Sequence, residues 1–448
     1  MKKIVIIGSG INGLVAANYL AKENYEVTII EKKAHTGGAC IKDVALIDNK
    51  EIDFAYGPTV LGMMPDFIFT ETGLEKSIQT FYPKTPKLVY FPNSKKGTRI
   101  FQDNKQLDVE LEKEWGEKGD PIGFRNDEGK VVNFIQDLYK NALSPSIEIA
   151  ESILGKTLTK LWIQGSAKNL LDHYFSSEKT KLYMGMTVIE SGPASIYDPG
   201  TAFTIPLMDS GSVFKGYWGY VKHGIWKISE HLTEINRSLG VKFILNAHTE
   251  DINTSRGTIA YTSGGIKNKL NYDHLVFATD PKVPGELLNN EKIQRQNSTR
   301  NYLGTSGKVT AFFKNPVKWI ESEKHPEYDT SFRFFFSNNS LEELETASQN
   351  ASNRLQAYCP GYIQVYTEGS AQRRMNNTEH FDKIILFTKN VSFDKPSCQL
   401  DAVKNQIISR VLPHIRNPED LVFSKFLTPK DLNETFYADL VVHSHHLL

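Results

Sequence analysis

The first forty residues constrain the fold most, because short apolar runs flank a glycine-rich turn. Residues 4–7 form an apolar run suited to a buried parallel strand, and residues 27–30 form a second one. Between them, three glycines follow the spacing GxGxxG: Gly8, Gly10 and Gly13. Strand, tight turn, helix and strand in this order predict a βαβ unit.

Each part of this unit predicts a contact with a dinucleotide. Gly8 permits the tight turn, Gly10 lets the backbone approach a pyrophosphate, and Gly13 lets the helix pack on the strand. The helix begins near Ile11, and its amide-rich N-terminus favours the negative phosphates. Glu31 ends the second strand, about 20 residues later, where a carboxylate accepts a hydrogen bond from a ribose hydroxyl. A glycine-rich turn in another kind of α/β domain is the alternative.

The composition argues against several other classes of protein. The 448 residues carry 52 basic and 52 acidic side chains, so we expect no nucleic-acid partner. Three cysteines lie far apart and form no CxxC pair, which argues against a disulfide scaffold, a zinc site or a dithiol redox centre (Cys40, Cys359 and Cys398). We expect no metal site, no spanning helix and no signal peptide, and we predict a cytoplasmic protein.

Later segments predict that the nucleotide-binding domain is assembled from separated pieces. Apolar residues at helical spacing, from Ile225 to Leu239, predict a helix that stops at Gly240. Short strands are expected at 241–245, 258–262 and 275–278. From about 286 to 430, apolar runs and one helix near 401–412 predict an antiparallel sheet packed with helices.

Two segments before residue 215 are less regular. Residues 56–69 are apolar but interrupted by glycine and proline, which argues against one helix. Ordinary core is the favoured interpretation of this segment, ahead of a substrate channel or contact with a membrane surface. Residues from about 92 to 132 are polar and charged, and we expect them to form an exposed surface of an inserted domain. A more apolar helical stretch follows through Leu161.

The opening motif, with the paired glycines Gly37 and Gly38 after Glu31, resembles the FAD-binding entry of the phytoene-desaturase and amine-oxidase-like flavoproteins. The segments KGYWGYVKHGIWKIS, SGPASIYDPGTAF, ATDP and LTPKDLNETF also follow the order of that group. The resemblance implies an α/β fold, with a GR2-type Rossmann FAD-binding domain and an inserted α+β substrate domain. It also implies an FAD-dependent oxidoreductase that oxidises or desaturates an apolar small molecule.

Carried over by resemblance, the glycine loop and the helix start would hold the FAD pyrophosphate. Glu31 and the adjacent Lys32 would lie at the adenosine ribose, and Thr249 beside the adenine. Gly224 would lie near the flavin, although relatives usually have Gly-Gly-Met where this chain has His223-Gly224-Ile225. The complete set is Gly8, Gly10, Ile11, Asn12, Gly13, Glu31, Lys32, Gly37, Gly38, Gly224 and Thr249.

The resemblance also predicts the division of the chain. The FAD-binding domain is expected at 1–60 and 216–285, and the substrate domain at 61–215 and 286–430. Residues 431–448 form a tail, where relatives continue into a glycine-rich segment that covers the flavin. We therefore expect a shortened member of the group. The catalytic residues, the electron acceptor and the oligomeric state stay open.

Two other functions compete with the flavoenzyme. A non-catalytic binding or regulatory protein with a flavoprotein fold fits the altered Gly224 segment and the short tail. An NAD-dependent dehydrogenase fits Glu31, although the Gly37-Gly38 pair argues against it.

Several side chains suggest chemistry but have simpler explanations. His223 is expected to be structural or solvent-facing, and the HSHH tail (443–446) to be a frayed end rather than a metal site. A covalent flavin link at Cys40 is disfavoured. An aromatic cluster is explained at least as well by packing as by stacking on a ligand (Tyr217, Trp218, Tyr220 and Trp226).

Overall fold

The structure is a computed structural model that describes residues 1–189, 194–298, 304–393 and 397–436. Its strands are β1 Lys3–Ile7, β2 Glu26–Ile30, β3 Lys42–Ile47, β4 Lys50–Ala55, β5 Thr80–Phe81, β6 Lys87–Tyr90, β7 Thr98–Ile100, β8 Tyr220–Val221, β9 Lys242–Ile244, β10 Ala247–Asn253, β11 Thr258–Ser263, β12 Ile266–Asn271, β13 His274–Phe277, β14 Gly307–Phe313, β15 Arg333–Phe336, β16 Tyr362–Tyr366, β17 Asp382–Thr388 and β18 Leu421–Leu427.

Its helices are α1 Ile11–Lys22, α2 Asp66–Glu71, α3 Asn104–Trp115, α4 Pro121–Lys140, α5 Ile147–Leu158, α6 Ala167–Tyr174, α7 Glu178–Gly185, α8 Thr204–Met208, α9 Lys227–Ser238, α10 Lys282–Leu287, α11 Glu291–Ser298, α12 Leu341–Ser352, α13 Glu368–Arg374, α14 Ser397–Val411 and α15 Pro429–Phe436. Within the described ranges, no helix combines the length and the apolar character needed to cross a bilayer.

A parallel four-stranded sheet unites the beginning of the chain with residues 242–277. Its strand order is β13-β1-β2-β9, so β1 lies between β2 and the much later β13. Ile4 pairs with Val27 on one side and His274 on the other, and Thr28 pairs with Lys242. This topology confirms the predicted α/β fold, with a Rossmann-type domain assembled from separated segments.

Helices α1 and α9 pack together beside this sheet. The amide of Asn236 on α9 donates to the carbonyl oxygen of Leu14 at 2.8 Å, and Asn18 donates to the Asn236 side chain at 3.1 Å. Gly240 follows α9 with a φ of +87°, a left-handed conformation that favours glycine and ends the helix as predicted. The pair of buried asparagines fixes the later helix against the first one.

A second sheet holds seven strands in the order β18-β14-β17-β16-β15-β6-β7. Neighbouring strands are antiparallel except β15 and β6, which run parallel. The predicted antiparallel sheet is therefore present, but residues 87–100 also contribute to it. These two strands join the inserted segment 61–215 to the later part of the chain.

The expectation that residues 92–132 form an exposed surface is wrong. Leu107 and Leu111 of α3 are fully buried, as are Phe124 and Val131 of α4. Both helices contribute to the largest hydrophobic core, because apolar residues recur at helical spacing between the charged ones. Many charged residues of this segment face solvent, but Glu110 and Glu128 are buried and pair with Arg99 and Arg125.

The interrupted apolar segment 56–69 behaves as core. Val60 and Leu61 are buried, and Leu61 exchanges backbone hydrogen bonds with Gly219 at 2.8 and 2.9 Å. Helix α2 begins only at Asp66, as the glycine and proline interruptions predict. This segment thus ties the first domain segment to the chain just before α9.

Candidate functional site

Two glycines of the opening motif are required by the protein's own packing. Gly8 has a φ of +99°, and a Cβ there would lie 2.5 Å from the carbonyl oxygen of Ala278 after β13. A Cβ on Gly13 would lie 2.3 Å from the carbonyl oxygen of Gly8. Both distances are far below contact, so these glycines allow the turn and the helix to meet the sheet.

Gly10 is different, because the protein leaves space beside it. Its φ is −62°, and a Cβ there would approach only the Cα of Gly38, at 3.9 Å. Gly10 is the N-cap of α1, and no side chain of the described residues accepts a hydrogen bond in that cap position. The first amides of the helix, on Ile11 and Asn12, thus start at an open position where an anion fits.

The paired glycines lie directly against this opening. The amide of Gly37 donates to the carbonyl oxygen of Ser9 at 2.9 Å, and Gly37 forms a parallel bridge with Gly10. Gly38 has a φ of +59°, and a Cβ there would lie 2.9 Å from the Cα of Gly10. The two glycine motifs therefore form one surface of bare backbone.

Glu31 is buried at the end of β2 and faces the loop. Its Oε2 accepts hydrogen bonds from the amide and the hydroxyl of Ser9, at 2.8 and 2.7 Å, and its Oε1 accepts from the amide of Lys33 at 2.9 Å. A carboxylate has about four acceptor positions, so one is still available to a ribose hydroxyl. Ser9 was missed in the sequence analysis because its hydrogen bonds to Glu31 join residues 22 positions apart.

Thr249 lies beside the same strand end. The amide of Ala247 donates to the carbonyl oxygen of Glu31 at 2.9 Å, which brings the start of β10 to the end of β2. Thr249 is buried, and its hydroxyl has no hydrogen-bond partner within the described ranges. The hydroxyl of Thr249 is therefore available to a ligand at this strand end. Lys32 is exposed at the rim.

Gly224 has a packing reason of its own. Its φ is +116°, and a Cβ there would lie 2.1 Å from the indole ring of Trp226. His223, just before it, is exposed. The Cys40 thiol donates to the carbonyl oxygen of Ile225 at 3.3 Å, which places this segment against the chain that follows Gly38.

The buried side chain of Gln372 holds the segment before Gly224. Its Oε1 accepts a hydrogen bond from the amide of His223 and its Nε2 donates to the carbonyl oxygen of Val221, both at 2.9 Å. Gln372 belongs to α13, about 150 residues further along the chain. The sequence carries no local signal for this contact, since it depends on the tertiary fold.

Cys40 is unsuited to covalent chemistry. The thiol is buried, and burial raises its pKa to about 12 despite hydrogen bonding with Ser229. The thiolate is the nucleophilic form of cysteine, and it is scarce at neutral pH when the pKa is this high.

The aromatic cluster is explained by packing. Tyr217 stacks on Tyr82 with ring centroids 6.2 Å apart and an interplanar angle of 4°. Tyr220 is buried, and its hydroxyl accepts a hydrogen bond from the amide of Thr367 at 2.9 Å. Trp226 covers Gly224. The HSHH tail lies outside the described residues.

Lys308 is a buried lysine that the sequence analysis did not single out. Its ammonium donates to the carbonyl oxygens of Ala55, the last residue of β4, and Gly57, at 2.5 and 2.9 Å. The pKa of Lys308 falls to about 7, chiefly because of burial and also because of the positive charge of Lys383. The negative charge of Glu368 acts in the opposite direction and raises this pKa. An amine that changes protonation near neutral pH is suited to give or take a proton.

Comparison with known sequences supports the dinucleotide site. Residues 6–67 match the family described as an NAD(P)-binding Rossmann-like domain. The chain is also 29% identical over 308 residues to a 4,4′-diapophytoene desaturase from Staphylococcus aureus strain COL, an alignment covering 64% of the chain. That alignment spans 57% of the length of the relative.

Solved structures share the fold across most of the chain. Cyclohexylamine oxidase from Brevibacterium oxydans has a TM-score of 0.58 at 13% identity, over 95% of this chain and 84% of that one. A putrescine oxidase variant has a TM-score of 0.56 at 15% identity, with the same coverage of both chains. Rab GDI from Plasmodium falciparum has a TM-score of 0.52 at 12% identity, over 95% of this chain and 89% of that one. At such identities the likeness shows the fold alone. The chain therefore has a mixed α/β fold with a Rossmann-like dinucleotide-binding domain, and its sequence is similar to that of the diapophytoene desaturases.

Proposed function

We propose that the site binds FAD. The observation that carries this proposal is the open backbone surface at Gly10, facing an uncapped helix start and next to a buried Thr249 hydroxyl without a partner among the described residues. The glycine loop with Ile11 and Asn12 would hold the pyrophosphate, and Glu31 the adenosine ribose. Lys32 would lie at the rim, and Gly224 on the flavin side. The contact of Gly37 and Gly38 with Gly10 favours FAD over NAD, because the resemblance places this glycine pair in flavoproteins.

The proposed activity is that of an FAD-dependent oxidoreductase on an apolar small molecule. Its support is the similarity to a protein named for desaturating 4,4′-diapophytoene. Bound FAD supplies the hydride acceptor for such a reaction. Of this chain's own residues, Gln372 would fix the segment before Gly224, and Lys308 would hold or release a proton at its Nζ.

The proposal also includes the division of the chain into two domains. The FAD-binding domain comprises residues 1–60 and 216–285, and the substrate domain comprises 61–215 and 286–430. The mid-chain segments also resemble pyridine nucleotide-disulfide oxidoreductase domain-containing protein 2. A cytoplasmic location and the absence of a nucleic-acid partner complete the proposal, while contact with a membrane surface and the oligomeric state are left open.

The test is a titration of the purified chain with FAD, followed by visible absorbance and calorimetry, with NAD as competitor. Gly10→Ala should weaken FAD binding at least tenfold, because the new methyl group occupies the space beside the helix start. Its thermal stability should change little, since the backbone conformation of Gly10 suits alanine. Gly129→Ala is the matched control, because its Cβ also meets open space on distant α4.

Three results would contradict the proposal at different levels. Absence of FAD binding to the wild-type chain refutes the cofactor, and displacement of FAD by NAD at equal concentration refutes the preference. Tight FAD binding without reduction by any apolar donor, including carotenoid precursors, refutes the activity and supports a binding protein.

A further inference from the structure

A cavity of about 520 Å³ is lined mainly by residues between 66 and 136 and between 209 and 218, and the glycine loop and Glu31 are not among its lining residues. Helix α4, the start of β6 and the segment 209–218 form much of its wall. Its volume is in the range of small-molecule sites. Charged and aromatic side chains line it together, notably Lys87, Arg125, Glu128, Asp209, Tyr217 and Trp218.

The charges alternate in sign. Arg125 Nη1 lies 2.5 Å from Glu128 Oε2, which forms a close ion pair, and 3.7 Å from Asp209 Oδ2. The second contact is too long for a hydrogen bond. The hydrogen bond of Arg125 thus goes to Glu128. Asp209 has the longer ion-pair contact with Arg125 but makes no hydrogen bond within the described ranges, and about a third of its side chain is exposed.

Lys87 is the second charged group of the cavity whose side chain makes no hydrogen bond within the described ranges. It begins β6 and is partly buried, and its ammonium has no hydrogen bond or ion pair to any described residue. Burial opposes the charge, but the facing groups Tyr183 and Asp209 outweigh it, so the pKa of Lys87 lies above its ordinary value. An ammonium with three donors therefore faces the cavity in its charged form.

The aromatic wall beside these charges is held in place. Tyr217 is stacked on Tyr82, and the indole of Trp218 packs on Gly62, where a Cβ would lie 2.4 Å from the ring. Aromatic faces attract both apolar groups and ammonium groups. The cavity thus offers a rigid apolar surface next to the ammonium group of Lys87 and the carboxylate of Asp209.

We propose that this cavity binds a small zwitterion, a molecule with a carboxylate, an ammonium group and a compact apolar body. The carboxylate accepts hydrogen bonds from Lys87, the ammonium donates to Asp209, and the apolar body lies against Tyr217 and Trp218. Such a ligand gives Lys87 and Asp209 hydrogen-bonding partners without disturbing the pair of Arg125 with Glu128. The site goes beyond the proposed function and does not depend on FAD.

The experiment compares three probes by calorimetry with the full chain in the absence of FAD. L-phenylalanine carries both charges, 3-phenylpropanoate only the carboxylate, and 2-phenylethylamine only the ammonium group. We expect L-phenylalanine to bind at least tenfold more tightly than either singly charged probe. Equal affinities for the three probes, or no binding of any, would overturn the proposal.

Charge-specific variants sharpen the test. Lys87→Met should weaken L-phenylalanine binding about tenfold and leave 2-phenylethylamine binding unchanged. Asp209→Asn should weaken the binding of L-phenylalanine and 2-phenylethylamine and leave 3-phenylpropanoate binding unchanged. Lys95→Met removes an exposed lysine outside the cavity and should match the wild type. If both cavity variants weaken all probes equally, recognition of the two charges is refuted.

Gly129→Leu provides an independent check, because Gly129 lines the cavity and its Cβ meets open space. The variant should keep its melting temperature, since leucine is also the better helix former, while binding of L-phenylalanine is lost. A folded Gly129→Leu protein that binds as tightly as the wild type would place the ligand elsewhere. Because FAD is absent, failure here is distinct from failure of the dinucleotide site.

Discussion

The buried lysine at position 308 predicts a specific pH dependence of stability. Its ordinary pKa of 10.5 falls to about 7 in the folded chain, chiefly through burial. Between these two values the unfolded chain binds more protons than the folded one, so the free energy of unfolding rises with pH. Below pH 7 both states are protonated and the penalty is complete, at roughly 5 kcal/mol. Between pH 7 and 9 about 2 kcal/mol of it is relieved.

The substitution Lys308→Met removes this titration. The variant leaves the carbonyl oxygens of Ala55 and Gly57 without their donor, at a cost that does not vary with pH. The free energy of unfolding at a single pH therefore says little about Lys308. The informative quantity is how steeply this free energy changes with pH. The wild-type chain should gain about 2 kcal/mol more than the variant between pH 7 and 9.

The assay is urea unfolding followed by tryptophan fluorescence at pH 7, 8 and 9, for the wild type and Lys308→Met. Lys156→Met is the control, because Lys156 is exposed on α5 and stays in water in both states. Its slope should equal that of the wild type. If Lys308→Met also keeps the wild-type slope, Lys308 is not a lysine with a depressed pKa and loses its place as a candidate acid or base.

Three further predictions concern the site. Gly13→Ala should destabilise the fold by about 2 kcal/mol or more, because a Cβ 2.3 Å from a backbone oxygen forces helix and strand apart, and its melting temperature should fall well below that of Gly10→Ala. Gln372→Leu removes one buried and one partly buried hydrogen bond to the segment before Gly224, so proteolysis should cut that segment faster and FAD affinity should drop several-fold. Unchanged protection from proteolysis would refute the positioning role. Cys40 should resist alkylation at pH 8 in the native state and react only on unfolding, as peptide mass spectrometry would report; prompt native labelling would contradict the raised pKa.

Local chemistry made the dinucleotide site predictable. Each glycine of the opening motif is required by a close backbone contact or by space for a ligand. The short apolar runs around the motif indicate buried parallel strands. Lys308 and Gln372 were not predictable, because their contacts join residues more than 100 positions apart. The segment 92–132 was misjudged for another reason: its composition is polar, while its helical spacing, visible at Phe124 and Val131, indicates a buried face.

The strand order β13-β1-β2-β9 has a consequence for how the protein is made. The edges of β1 and β2 receive their partners only after residues 31–241 have left the ribosome. At about 5–20 residues per second this wait lasts on the order of 10–50 s. During that time the edges of two largely apolar strands are open to other chains. Newly made protein should therefore be prone to pair with other chains until β9 and β13 arrive, even though β1 and β2 lie in the interior of the finished sheet.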